Sequence, residues 1–91
     1  MQYNVQNFIS NSGNPVANQF KIRTPRAVLF QSYRSIIAKK DTRTGKVTLD
    51  KYYWDYSTTT GKYRNQFLGE GIAETREKIK SGKYKLKNLN S

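Results

Sequence analysis

The chain has 91 residues, and its 17 Lys and Arg outnumber six Asp and Glu, which gives a formal net charge of +11. This length fits one small domain and excludes a multidomain enzyme. The absence of Cys and His excludes thiol and imidazole chemistry, disulfides and the two commonest zinc ligands. Aromatic residues make up 13% of the chain, which favours a folded domain over a disordered one.

The first twenty residues contain no charged side chain and are rich in Asn. A run of turn-forming residues at 10–15 separates the start of the chain from the rest. We therefore predict a neutral N-terminal arm over 1–15 and a single α+β domain over 16–91. Four of the first nine residues are large and apolar, namely Tyr3, Val5, Phe8 and Ile9. They predict that the arm packs against the sheet or against a second copy, as in a homodimer.

Alternating apolar and polar residues predict a series of antiparallel strands in the middle of the chain. Residues 16–23 form a first short strand. Residues 27–39 form a long strand that is apolar on both faces, so it is either central in the sheet or bulged near 31–34. The next predicted elements are turns at 41–45 and 57–61 and strands at 46–56 and 62–68.

The last part of the chain combines a helix and a strand. Residues 72–81 carry acidic side chains early and basic ones late, which matches the helix macrodipole, and Gly82 suits the position after the helix. Residues 83–89 predict a final strand with Tyr84 and Leu86 inward and lysines outward. The expected fold class is α+β: a small, mainly antiparallel sheet of four to five strands with a central meander, one short C-terminal helix and a final strand.

Tyr52, Trp54 and Tyr56 share one face of the strand predicted at 46–56. If a bulge near Lys51 turns that face inward, the three side chains fill the core. If no bulge is present, they form an open aromatic platform of the kind that holds unpaired bases. The residues alone leave both interpretations open.

The acidic residues give no basis for catalysis. Asp50 and Asp55 are five residues apart, so on a regular strand their carboxylates point to opposite faces. Gly69 and Gly71 precede a predicted helix and offer backbone N–H groups to an anion, but Glu70 between them would repel a phosphate. We therefore predict a protein that is not an enzyme, with no catalytic residue, no metal and no cofactor.

The basic residues point to a polyanionic partner, because an excess of eleven charges is more than solubility requires. Lys and Arg would contact phosphates while neighbouring tyrosines stack or pack against sugars and bases. The candidate nucleic-acid-binding residues are Arg34, Lys51, Tyr53, Lys62, Tyr63, Arg64, Lys83, Lys85 and Lys87. Tyr33 is a further ring beside Arg34. The expected partner is DNA or RNA, or else an acidic surface of another protein.

The longest apolar runs, at 27–30 and 36–38, are far shorter than the ~20 residues of a membrane span. The first residues lack the basic and apolar regions of a signal peptide. A small secreted domain would usually need disulfides, so a chain without cysteine fits a reducing compartment. We expect a soluble cytoplasmic protein with no membrane partner.

Several strings of this sequence resemble a family of short bacteriophage proteins of unknown function. They are NQF at 18–20, FQSYRSIIA at 30–38, YWDYSTT at 53–59, GKY at 61–63 and FL at 67–68. The resemblance implies a small protein made in an infected bacterial cytoplasm, and it brings no catalytic residue with it. Two functions follow as expectations: a nucleic-acid-binding protein, or alternatively a phage inhibitor of a host defence or nucleic-acid-processing protein.

Overall fold

Six strands form one sheet in the computed structural model, which describes residues 3–90. The strands are β1 (Asn4–Ile9), β2 (Pro15–Arg23), β3 (Ala27–Ser32), β4 (Ser35–Asp41), β5 (Val47–Asp50) and β6 (Lys85–Lys87). They lie side by side in chain order, with four antiparallel pairings followed by a parallel pairing of β5 with β6. Two helices, α1 (Thr58–Leu68) and α2 (Ile72–Lys80), form the crossover that a parallel pair requires.

The α+β class is confirmed, but the sheet has six strands instead of the predicted four to five, and the fold contains two helices instead of one. It is also mixed, because its last pair is parallel. Residues 4–9 of the predicted arm form the edge strand β1, whose Phe8 is buried. The first two residues of the arm lie outside the described part. Neither helix in the described part of the chain is long and apolar enough to span a membrane.

The core lies between the sheet and the two helices. Phe30, Ala38 and Leu49 are in register across β3, β4 and β5, and all three are fully buried. Their neighbours in the core include Phe8, whose ring lies 5.2 Å from that of Phe30 in an edge-on arrangement, and Phe67 of α1, whose ring stacks at 5.9 Å. These rings supply most of the volume of a thin core.

The face of the sheet opposite the core is partly exposed to solvent. One register row crosses all six strands on that face: Val5, Ile22, Leu29, Lys39, Thr48 and Lys85. All six side chains are half-buried or exposed. We call this surface the open face. Its half nearest β1 is apolar, and its half nearest β6 is cationic.

The prediction of a strand at 62–68, and of a turn at 57–61 before it, is wrong: this segment is the helix α1. Ser57 is the N-cap, and its hydroxyl accepts a hydrogen bond from the backbone N–H of Thr60 at 3.1 Å. The misreading has a simple cause. Tyr63 and Phe67 are four residues apart, a spacing that places two side chains on one face of a strand and equally on one face of a helix.

The prediction of a strand at 46–56 is wrong beyond Asp50, where β5 ends. The Asp50 carboxylate accepts hydrogen bonds from the backbone N–H groups of Tyr52 and Tyr53, and the Asp50 carbonyl accepts one from Trp54. These bonds turn the chain out of the sheet. As a result the three aromatic residues form neither a common core layer nor a common open platform. Trp54 is half-buried and packs against the core, whereas Tyr52 and Tyr56 are exposed.

The single long strand predicted at 27–39 is instead a hairpin of β3 and β4. The chain reverses at Tyr33 and Arg34, between the paired residues Ser32 and Ser35. A register shift follows at Phe30 and Gln31, and it lets Ile37 enter the core. The apolar residues on both faces, which predicted a central or bulged strand, therefore come from two strands, one of them bulged.

The predicted helix at 72–81 is confirmed as α2, with Gly82 just beyond it at a φ of 85°. The hairpin turn at 41–45 is confirmed too, since Gly45 has a φ of 75° and donates its N–H to the Asp41 carbonyl. The final strand is shorter than predicted. Tyr84 is inward as expected, but Leu86 is 40% exposed, because β6 is an edge strand of only three residues.

Candidate nucleic-acid interface

The β3–β4 turn presents an aromatic ring next to a cation. Tyr33 has a φ of 56°, a left-handed conformation that costs a residue with a Cβ roughly 1–2 kcal/mol. Two hydrogen bonds hold it there: its N–H donates to the Asn18 carbonyl at 2.7 Å, and its carbonyl accepts from the Gln31 amide at 2.7 Å. The ring is 50% exposed, and Arg34 beside it is exposed as well.

Asp50 organises the segment that follows β5. Its side chain is fully buried, and one carboxylate oxygen accepts from the N–H groups of Tyr52 and Tyr53 while the other accepts from Leu89 at 2.7 Å. Burial alone would raise the pKa of this carboxyl, but the hydrogen bonds outweigh it and hold the pKa below its usual value. Asp50 is therefore a structural anion that fixes Lys51, Tyr52 and Tyr53 at the end of the sheet.

The end of the chain is tied to the same place. The Asn90 side chain accepts a hydrogen bond from the Ile36 N–H at 2.6 Å and donates one to the Ile36 carbonyl at 2.9 Å. The Lys51 N–H donates to the Lys87 carbonyl at 2.9 Å. The start of β4 and the ends of β5 and β6 are thus joined by direct hydrogen bonds at one end of the sheet.

We call this region the tyrosine end and define it by Tyr33, Arg34, Lys51, Tyr52, Tyr53, Tyr56 and Lys87. Its four tyrosines are 50%, 64%, 38% and 44% exposed in chain order. Lys51 places its ammonium 5.1 Å from the Tyr52 ring, and Tyr53 meets Tyr56 edge-on at 5.5 Å. No carboxylate of residues 3–90 lies within ion-pair distance of Arg34, Lys51 or Lys87.

A polar groove continues from Tyr56 between the beginnings of α1 and α2. It has a volume of about 660 Å³, and Lys62 and Arg76 are among the residues that line it. Asp55 lies in the same groove, where it pairs with the Arg64 guanidinium at 2.8 Å and less closely with Arg76 at 3.6 Å. The groove therefore adds two exposed cations next to the tyrosine end.

Four of the predicted site residues lie at the same end of the sheet: Arg34, Lys51, Tyr53 and Lys87. Lys62 borders the adjoining groove. Lys85 lies on the cationic half of the open face, and Lys83 precedes β6 toward the opposite end of the sheet.

Two predicted site residues, Tyr63 and Arg64, are buried. Tyr63 is 5% exposed and packs against Phe8, with a ring distance of 5.6 Å. Arg64 is 1% exposed, donates to the Trp54 carbonyl and the Asp55 carboxylate, and places its guanidinium 5.4 Å from the Trp54 ring. Side chains this buried do not reach a phosphate, so neither residue belongs to the candidate interface.

Sequence reasoning missed two features of the site. Arg76 was assigned only to a helix, because nothing in the sequence shows that α2 begins beside α1. The structural role of Asp50 was also missed. The available signal was an Asp followed directly by residues that alternate poorly as a strand, which is typical of a side chain that bonds to the next backbone N–H groups.

Glu70 lies between Gly69 and Gly71 and binds side chains of the protein itself. Its side chain is 2% exposed and accepts hydrogen bonds from Thr75 at 2.6 Å, Lys78 at 2.6 Å and the Tyr84 hydroxyl at 2.8 Å. Burial opposes ionisation, but these bonds keep the pKa of Glu70 below its usual value and raise the pKa of Lys78. The cluster fastens α2 to the segment before β6. In the described residues, no group of three or more potential metal ligands comes together.

Comparisons with known proteins identify a family for the chain but assign it no activity. No curated protein and no solved structure shows a significant match to the chain. Cytoplasmic location and phage source stay predictions from the sequence. The model of a family of unknown function, DUF8033, matches residues 3–85, almost the whole described chain, and the protein therefore belongs to that family.

Proposed function

We propose that the protein is a non-catalytic module that binds single-stranded nucleic acid at the tyrosine end. The observation that carries the proposal is the placement of four exposed tyrosines among three cations that have no ion-pair partner in the described residues. Rings on which bases stack contribute about 1–3 kcal/mol per base, and cations beside them follow the phosphates.

The backbone strain at Tyr33 supports this proposal. Gly or Asn would adopt the left-handed conformation of this turn at lower cost than Tyr. Strained residues that the surrounding structure holds in place are concentrated at functional sites. An exposed ring held in this way, with Arg34 next to it, is better explained by a ligand than by stability.

The rigidity of the site also supports the proposal. Asp50 and Asn90 fix the backbone that carries Lys51, Tyr52 and Lys87, so little backbone ordering is needed when a strand binds. Both neighbouring carboxylates are engaged, Asp50 by backbone N–H groups and Asp55 by Arg64. The surface presented to phosphates is therefore positive.

The test is a titration of a labelled single-stranded oligonucleotide, followed by fluorescence anisotropy at several salt concentrations. Each phosphate contact to a single strand contributes about 0.7 to the slope of log K against log salt, so the triple variant Arg34→Ala, Lys51→Ala, Lys87→Ala should lower the slope by about 2. Tyr33→Gly should weaken binding roughly 5- to 150-fold, the equivalent of one stacked base.

The matched control is the triple variant Arg26→Ala, Arg43→Ala, Lys46→Ala. It removes the same charge from the loops at the other end of the sheet, where the Arg26 carbonyl accepts from Thr42. We expect this control to retain most of the affinity and the slope. Equal losses in both triple variants would show only nonspecific attraction and would overturn the assigned site. No binding at low salt would overturn the function and leave the host-protein inhibitor as the hypothesis to pursue.

A further inference from the structure

Strand β1 is an edge of the sheet with no protection against pairing. It pairs with β2 on one side only, and its other side faces solvent. Natural edge strands are usually kept from pairing by charges, prolines, short length or a cover. β1 has no charged residue and no proline, and its only irregularity is a register shift between Asn7 and Ile9. A regular stretch at 4–7 therefore remains open to another strand.

The opposite edge shows the contrast within the same sheet. β6 is three residues long and carries Lys85 and Lys87 on either side of Leu86. Short length and two lysines are the usual means of blocking edge pairing. The protein thus protects one edge and leaves the other free.

The free edge is also apolar and neutral. Tyr3, Val5 and Ile9 are 64%, 61% and 53% exposed, although each is large and apolar. All charged side chains of the chain lie at residue 21 or later, so the hairpin that begins with β1 is the part of the described surface built largely without them. Two molecules that each carry a net charge of +11 repel one another, and a neutral edge is where they can approach.

We propose that β1 pairs antiparallel with β1 of a second copy, about a two-fold axis centred on Val5. This isologous contact joins the two six-stranded sheets into one continuous sheet and closes after two copies. It also brings the two apolar halves of the open face together, since Val5, Ile22 and Leu29 are neighbours in one register row. The cationic halves then lie on the outer sides of the dimer, and the two tyrosine ends lie at opposite ends of the antiparallel strands.

The salt dependence of this contact is opposite to that of nucleic-acid binding. Salt screens the repulsion between the two basic copies, because the Debye length falls to about 8 Å at 0.15 M. Dimer formation should therefore strengthen as salt rises, whereas binding to a phosphate backbone weakens. The inference does not rest on the proposed function, and either can fail without the other.

The first experiment is sedimentation of the full chain over a range of protein and salt concentrations. We expect a species of twice the 10.6 kDa chain mass that is favoured by salt. Val5→Lys should return the protein to the monomer mass, and the exposure of Val5 means that the fold should survive, as a thermal melt can verify. The control Asn11→Lys adds the same charge to the exposed turn after β1 and should leave the dimer intact. A wild-type monomer at every concentration would overturn the proposal, as would a dimer that Val5→Lys does not affect.

A second experiment tests the register directly. The chain contains no cysteine, so Val5→Cys introduces a single thiol. Residues that face each other across an antiparallel pair have Cα atoms about 4.5–5.5 Å apart, a separation that a disulfide spans. Mild oxidation should give a covalent dimer with Val5→Cys and far less with Asn11→Cys. Equal cross-linking of the two variants would contradict a contact centred on β1.

Discussion

Loss of the Asp50 carboxylate should strongly destabilise the protein. Asp50 is fully buried and accepts hydrogen bonds from the N–H groups of Tyr52, Tyr53 and Leu89, at 3.0, 2.9 and 2.7 Å. A hydrogen bond to a charged group contributes about 1.5–3 kcal/mol. Tyr52 and Tyr53 are exposed, so water can replace part of what their N–H groups lose, whereas Leu89 is half-buried. We therefore expect Asp50→Ala to cost about 3–6 kcal/mol.

This loss is large for a small domain, whose total stability is about 5–15 kcal/mol. Each kcal/mol shifts Tm by about 4–8 °C at this size, so the melting temperature should fall by at least ~12 °C. Asp50→Asn has nearly the same shape and should still lose stability, because its amide presents N–H donors to backbone N–H donors. Denaturant unfolding followed by the single Trp54, which packs against the core, gives the free energy of unfolding.

The stability that the Asp50 carboxylate contributes should depend on pH. The folded pKa of Asp50 lies below its unfolded value of about 3.9, so its contribution is complete above that pH and is lost as pH falls through the folded pKa. The gap in stability between wild type and Asp50→Asn should therefore narrow below about pH 4. Asp41→Asn is the matched control, because the Asp41 carboxylate likewise accepts backbone N–H groups, those of Arg43 and Thr44, but stands at the start of a surface turn. It should lose much less. An Asp50→Asn protein as stable as wild type at pH 7, or a gap that does not change with pH, would refute this account.

Two further variants test other parts of the fold. Tyr84→Phe removes the hydrogen bond from the Tyr84 hydroxyl to Glu70 and should lower the free energy of unfolding by about 1.5–3 kcal/mol, as denaturant unfolding can measure. Burial and the bond to Glu70 raise the pKa of Tyr84, so wild type should also lose stability as pH rises above about 10. The variant has no hydroxyl to ionise and should lose less stability over that range. Phe8→Ala should cost about 3–5 kcal/mol, because Phe8 fills the core between Phe30 and Tyr63. Ile9→Ala, at an exposed position of the same strand, should change the melting temperature little. If Phe8→Ala changed it as little as Ile9→Ala does, β1 would be a passive tail.

The elements predicted well from the sequence are those whose signals are local. Residues 41–45 carry an Asp that caps backbone N–H groups and a Gly at positive φ, both of which act within five residues. Helix α2 has Glu74 in its first turn and Lys78 and Lys80 in its last, which match its own dipole. Such features do not depend on the rest of the molecule, so the sequence alone is enough to place them.

The elements predicted wrongly are those that long-range contacts decide. The spacing of Tyr63 and Phe67 fits a strand or a helix, and packing of α1 over Phe30 selects the helix. The turn at Tyr33 contains no Gly or Asn that would reveal it, because two hydrogen bonds hold its conformation: the Tyr33 N–H donates to the Asn18 carbonyl, and the Gln31 amide donates to the Tyr33 carbonyl. Asp50 ends β5 by binding groups both nearby and near the end of the chain. In each case the deciding partner is distant or not specified by residue type.

The same division applies to the candidate site. The sequence shows an excess of cations and a dense group of tyrosines. It did not separate Tyr63 and Arg64, which are buried, from Tyr33 and Tyr52, which are exposed. Burial depends on which segments form helices. Because residues 62–68 were predicted to be a strand, Tyr63 and Arg64 were wrongly expected to be exposed.

The acidic residues explain why the surface charge is arranged as it is. Asp50 is bound by backbone N–H groups, and ion pairs with Asp55, Glu70 and Glu74 engage three cations, Arg64, Arg76 and Lys78. The other fourteen of the 17 Lys and Arg have no ion pair in the described residues, so their charge acts on the surroundings. Because none of them precedes residue 21, that charge leaves the free edge of β1 neutral. Attraction to a polyanion and contact between two copies can therefore use different parts of the molecule at the same time, and their opposite responses to salt allow each to be measured without the other.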